Sequence, residues 1–176
     1  MRNQIAPNVP DPPVKPKFFP LSKGYHPCRR CKVCTYNITK KKSINFRSTV
    51  TGVEFPIKQF STCATRYVVY LLTCPCGKQY VGRTIRSFST RAGEHIAKIL
   101  AGYPKHTVPR HYLEHHNKKV EGTLFQIIDH FVPHWRGEPG TRGVSKLEVY
   151  WIYQLKSYTP HGLNVEWDVN SFINQS

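Results

Sequence analysis

Two tyrosines, an arginine, a histidine and a glutamate stand in an order that suits one reaction. They are Tyr70, Tyr80, Arg91, His95 and Glu148. A carboxylate with waters can hold a hard divalent cation such as Mg²⁺ or Mn²⁺. The cation and an arginine stabilise the charge that builds on a phosphorane-like transition state. A phenol or an imidazole deprotonates or orients the attacking water. These are the parts of metal-assisted phosphodiester hydrolysis. A free phenol titrates near ~10, so a tyrosine base needs nearby cations, which Arg83, Arg91 and the metal would supply. Each residue alone has a plainer use. Strand tyrosines pack across a sheet, Arg91 suits a solvated helix face, and Glu148 suits the start of a helix.

Six cysteines form a second group: Cys28, Cys31, Cys34, Cys63, Cys74 and Cys76. The N-terminus has no charged-then-apolar leader, so secretion is not expected, and metal ligation is a stronger reading than disulfides. Cys28-x2-Cys31-x2-Cys34 with Cys63 would make an all-cysteine zinc site, with His26 as an alternative ligand and an iron–sulfur cluster as a weaker option. Cys74 and Cys76 are close together in a turn. All six cysteines precede residue 77, whereas seven of the nine histidines follow residue 100. A mixed Cys/His site must therefore be closed by folding.

The elements that must position these groups follow from periodicity. Tyr67 to Thr73 is β-branched and aromatic, the pattern of a buried strand. Cys74-Pro75-Cys76-Gly77 is a tight turn, and Gln79 to Thr84 is the returning strand. This hairpin brings Tyr70 and Tyr80 to one pocket, and Gly82 admits a phosphate or a backbone close to the second strand. A helix fits 87–100, which places Arg91 and His95 on one face. A shorter helix fits 108–116 and a third strand 123–131. Residues 137–143 read as a loop. Ser145 then caps a helix to about residue 155, opened by Glu148, with Leu147, Tyr150, Trp151 and Leu155 on its apolar face. The expected fold is α+β, a small three-stranded antiparallel sheet flanked by helices, with an N-terminal cysteine-rich basic arm.

The chain has 176 residues, with 26 Lys+Arg against 10 Asp+Glu and a net charge of +16. Residues 1–66 carry 13 basic and 2 acidic side chains, a net of +11, which leaves +5 for the remainder. That charge calls for a polyanionic partner, nucleic acid before anionic membrane. Hydrophobic residues make up 39%, enough for a modest core. No apolar run approaches the roughly 20 residues of a membrane span, and lysine-rich amphipathic helices are lacking, so no membrane partner is expected. Six of the 14 prolines fall in the first 20 residues, which suggests a disordered arm over 1–24. A basic cysteine-rich segment follows over 25–66, then a folded domain over 67–170 and a tail over 171–176. Lys40, Lys41, Lys42, Arg83 and Arg86 are candidate nucleic-acid contacts.

The ordered set resembles the GIY-YIG nuclease superfamily over about residues 63–170. The first motif stands as Val68-Val69-Tyr70 and the second as Tyr80-Val81-Gly82. Val68 and Val69 replace Gly and Ile at positions that supply strand backbone. Arg91, His95, Glu148 and the asparagine of Gly162-Leu163-Asn164 follow in order. The stretches Arg91-Ala92-Gly93-Glu94-His95, Pro133-His134-Trp135-Arg136-Gly137 and Glu148-Val149-Tyr150-Trp151 look closer still to the endonuclease domain of Penelope-like retroelements. The resemblance implies a metal-dependent DNA endonuclease that nicks one strand, without a small-molecule cofactor. Tyr70 and Tyr80 would be the base and water-positioning pair, and Arg91 would clamp the scissile phosphate. His95 would be an alternative base or phosphate ligand. Glu148 would hold the catalytic Mg²⁺ or Mn²⁺, and Asn164 would brace the site. It also implies a structural zinc on Cys74, Cys76, His111 and His116, with His115 as a competitor on the helix face of His111. In such elements a reverse transcriptase precedes this domain. The chain shows no polymerase pattern and is expected to be an isolated piece of an element or a gene derived from one, nuclear by the same resemblance. The alternative is a catalytically decayed, zinc-stabilised DNA-binding module.

Overall fold

The computed structural model describes residues 22–37, 40–133 and 139–165. Most of the expected arm over 1–24, the stretch His134 to Gly137 and the tail over 171–176 lie outside the described residues.

Strand β1 (Gly24–His26), helix α1 (Lys32–Tyr36) and strands β2 (Asn45–Arg47), β3 (Glu54–Pro56) and β4 (Phe60–Thr62) form the first part. The second part holds β5 (Val68–Thr73), β6 (Gln79–Thr84), α2 (Phe88–Leu100), α3 (Thr107–His116), β7 (Leu124–His130) and α4 (Gly140–Leu155). The main sheet is antiparallel and three-stranded, in the order β6-β5-β7. Its central strand β5 is buried along almost all of its length. Val68-Val69-Tyr70-Leu71-Leu72 supplies apolar bulk to both faces, which suits a strand covered on two sides.

One face of the sheet meets α2. Ser87 caps this helix, its hydroxyl accepting from the Thr90 N–H. Phe88, Ala92, His95, Ile96 and Ile99 form its buried stripe at helical spacing. Phe88 packs on both Tyr70 and Tyr25, with ring centroids 5.7 and 5.5 Å apart. The other face meets α4 and the antiparallel β2–β3 ribbon. There Trp151 stands edge-on to Phe46 and Phe55, and its indole N–H donates to Asp129 Oδ2 at 2.9 Å.

Three expectations are corrected. Helix α4 begins at Gly140, so residues 140–143 are helical and do not belong to a loop. Pro139, with its fixed φ, precedes the first turn, and Gly143 lies inside the helix against the Phe131 ring, where a Cβ would clash. Ser145 is not the cap; its hydroxyl donates to the Thr141 carbonyl one turn back. The buried face of α4 is Val144, Trp151, Ile152 and Leu155, while Tyr150 is exposed. Glu148 lies on this same stripe, one turn from Val144 and one from Ile152, in mid-helix.

The third correction concerns the cysteine-rich segment, which is no separate arm. Tyr25, Val33, Phe46, Ile57 and Cys63 belong to the same hydrophobic core as the main sheet. The pair β1–β4 is parallel, with α1 and the β2–β3 ribbon between its strands in sequence. Short charged and glycine-punctuated strands of three residues give almost no periodic signal, so tertiary packing decides them.

Candidate active site and metal centres

Tyr70 and Tyr80 do meet on one face of the hairpin. The register pairs Tyr70 with Gly82 and Leu72 with Tyr80, so the phenols are diagonal neighbours with centroids 6.5 Å apart. Gly82 has a reason other than the one expected. A Cβ there would lie 2.5 Å from the Tyr70 hydroxyl and 2.7 Å from the Tyr80 ring. The group that comes close to this backbone is the Tyr70 phenol, not a phosphate.

Tyr70 is fully buried, and its hydroxyl lies 2.8 Å from His95 Nε2. Burial pushes this phenol up to about 12, although the Arg91 guanidinium beside it pulls the other way. His95 is 7% exposed, and burial, followed by the charges of Arg91 and Lys98, pushes it down to about 3. It is therefore a neutral imidazole near pH 7. Its Nδ1 is buried with no hydrogen-bond partner among the described residues. Tyr80 is half-buried, and its ring lies 5.6 Å from that of His95. Arg91 lies beside both phenols and is 3.3 Å from Glu94 Oε2. Glu94 also binds Arg86 at 2.7 Å. The helix spacing of Arg91 and His95 thus delivers a cation and an imidazole to the tyrosine pair.

Glu148 arrives from the opposite layer. Its carboxylate accepts from Arg83 Nε at 2.8 Å, with side-chain exposures of 15% for Glu148 and 37% for Arg83. Its charge reaches Tyr70, where it opposes ionisation of the phenol. Arg83, read from sequence as a phosphate contact, thus also holds this carboxylate. A glutamate on the core stripe of a helix is costly to desolvate without a partner, and Arg83 meets that need. That carboxylate interrupting an apolar stripe was the signal available in the sequence.

Asn164 braces the edge of the sheet. Its Oδ1 accepts from Val81 N–H at 2.9 Å, and its Nδ2 donates to the Val81 carbonyl at 2.7 Å. Leu163 N–H donates to Gln79 O, and the Ser157 hydroxyl supports Asn164 Oδ1. The 157–164 segment therefore covers the free side of β6.

Two clusters could hold a metal ion: Cys28, Cys31, Cys34 and Cys63, and Cys74, Cys76, His111 and His116. Within each, the ligand atoms lie within 4.8 Å of one another. In the first, neighbouring sulfurs are 3.5 to 3.9 Å apart. Four thiolates about 2.3 Å from one tetrahedral zinc would stand about 3.8 Å apart. The set fits one ion and is too compact for an iron–sulfur cluster. Arg29, with a φ of 62°, turns the Cys28–Cys31 knuckle. Backbone N–H groups of Cys28 and Arg29 point at the sulfurs of Cys63 and Cys34, as donors to thiolates. His26 stays outside the set, its Nε2 lying 3.0 Å from the Ser22 carbonyl oxygen.

In the second cluster Cys74 Sγ lies 3.3 Å from His111 Nε2 and 3.0 Å from His116 Nε2. Cys76 Sγ lies 3.3 Å from His111 Nε2. His116, not His115, joins because α3 ends there. Asn117 takes the left-handed conformation at the C-cap, and His115 stays exposed beside Glu114. Burial pushes Cys74 up to about 11 and His111 down to about 4, so the neutral imidazole suits a ligand and a cation would be needed to ionise the thiol. This cluster ties the hairpin tip to the end of α3.

Lys40, Lys41 and Lys42 are exposed beside the β2–β3 ribbon, away from the tyrosine pair in sequence and in layer. Sequence reasoning missed Lys98, Lys105 and His106. With Tyr80, Arg91 and His95 they line a cavity of about 260 Å³ between α2 and α3. The signal was present for Lys98, which continues the helical face of Arg91 and His95. Among the described residues no helix is long and apolar enough to cross a membrane. No protein-family model, curated protein or solved structure matches this chain.

Proposed function

We propose that the chain is a metal-dependent DNA endonuclease of the GIY-YIG kind, with zinc as its structural metal at both cysteine clusters. The observation that carries this reading is the convergence of Tyr70, Tyr80, Arg91 and His95 on one face of the hairpin, with Glu148 near enough to act on Tyr70. The net charge of +16 and the motif order in the sequence support it.

The two phenols take different roles. Tyr70 is sealed from solvent and bound to His95, so it orients the imidazole and the neighbouring phenol. Tyr80 is half-buried and faces the cavity, so it is the phenol that can meet a water. Arg91 favours the phenolate of Tyr80 and can bind a phosphate oxygen. One carboxylate fits a hard cation recruited together with a substrate phosphate, and Glu148 would hold it. When bound, that cation would stabilise charge on the phosphate and the leaving oxygen. Arg83 keeps Glu148 ionised and oriented until then.

The test is supercoiled-plasmid nicking by zinc-loaded protein with Mg²⁺. Glu148→Ala should abolish nicking and leave DNA binding in place. Equal nicking by that variant would overturn the reading. Binding without nicking by the natural chain would identify a decayed DNA-binding module.

A further inference from the structure

We propose that the cavity between α2 and α3 is a second phosphate seat, which holds a backbone phosphate of the nucleic-acid strand next to the one attacked. This rests on the endonuclease reading, since Tyr80 and Arg91 belong to both sites.

Three independent features converge there. The first is charge. Arg91, Lys98, Lys105 and His106 line the cavity, and no acidic side chain does. Glu94 takes up part of Arg91. Lys98 lies over the Tyr103 ring at 5.8 Å, a contact that places its ammonium without neutralising it. Cations gathered this closely repel one another unless an anion sits among them.

The second is the start of α3. Its N-cap residue is His106, which makes no side-chain capping bond, and its first turn holds no acidic residue. The leading N–H groups and the positive end of the helix dipole therefore face the cavity rim at Thr107 and Val108. The third feature is His95. It lines the same cavity, is more than nine-tenths buried, and its Nδ1 has no hydrogen-bond partner among the described residues. A buried polar nitrogen of this kind is costly unless a ligand or water meets it.

The volume of about 260 Å³ selects the ligand. It is below the usual range of small-molecule pockets, about 300–1,000 Å³, and suits one phosphate with part of its sugar. With Arg91 shared, a strand seated here would carry its neighbouring phosphate past Tyr80. The seat would fix the strand's register for the reaction.

The experiment uses the full zinc-loaded chain without any divalent cation that supports cutting. Binding of a fluorescent duplex is measured across salt concentrations. The Lys98→Ala/Lys105→Ala variant should lower the slope of log K against log[salt] by about 1.8, roughly 0.9 for each lost contact. Thr107→Trp, which fills the cavity without a charge change, should lower the slope too. An unchanged slope in the lysine variant overturns the proposal. A loss with the lysine variant but not with a folded Thr107→Trp shows a diffuse field and also overturns it. Titration of inorganic phosphate separates the remaining source. Heat that disappears in the lysine variant while the DNA slope stays unchanged marks a free-phosphate pocket instead. The slope does not depend on cutting, so failure of plasmid nicking with a normal slope response would overturn the nuclease reading and leave the seat standing.

Discussion

His95 carries the sharpest consequence at the scale of single residues. It is buried, neutral and bound to Tyr70 through one nitrogen. Its folded state titrates at about 3, far below the ~6.5 of an unfolded chain. Between those values the unfolded chain binds a proton that the folded chain refuses. Stability is therefore highest above pH ~6.5 and falls as pH drops through that window. At pH 5 the loss is about 2 kcal/mol, from 1.36 kcal/mol per unit over about 1.5 units. Zinc ligands also protonate in acid, so the measurement is a difference. Urea unfolding of the natural chain and of His95→Gln, from pH 7.5 to 5, should give curves that converge as pH falls. Parallel curves would show that His95 does not resist protonation.

At the scale of elements, both edges of the main sheet are closed by an asparagine. Asn164 binds the N–H and carbonyl of Val81 on β6, and Asn37 does the same to Phe125 on β7, at 3.0 and 2.7 Å. Each amide imitates one residue of a fourth strand and blunts an edge that would otherwise pair with another chain. Asn164→Ala and Asn37→Ala should each cost about 1–3 kcal/mol, because buried backbone groups lose their partners. Hydrogen exchange should speed up at the Val81 amide in the first variant and at the Phe125 amide in the second. Unaltered protection at both would refute the edge role. The strands and helices of the second half were legible, because long apolar runs and helical stripes announce themselves. Their contacts across layers were not. Nothing local in Asn37 points to a strand that lies 88 residues away. Glu148 was read as a helix opener because Gly140 and Gly143 looked like loop, whereas the Phe131 ring selects a glycine inside α4. The three-residue strands before residue 63 are too short to show a period.

The whole molecule is held by one core and two cysteine clusters that staple its ends together. The first joins the knuckle at Cys28 and Cys31 to α1 and to the residue after β4. The second joins the β5–β6 turn to α3. Elemental analysis of protein made in zinc-containing medium should find about two zinc ions per chain, one for each cluster. Cys31→Ser and Cys76→Ser should each remove about one. Protein without bound zinc would refute both sites. The second cluster has a further consequence for anyone who assays this chain. It grips α3 at its C-terminal end, while the N-terminal end of the same helix walls the cavity beside Tyr80, Arg91 and His95. A broad chelator such as EDTA would strip zinc as well as magnesium, and loss of cutting in its presence would not say which metal mattered. Order of addition would: activity lost by magnesium withdrawal should return at once when magnesium is restored. Activity lost with the zinc should return only after α3 has been rebuilt on the hairpin.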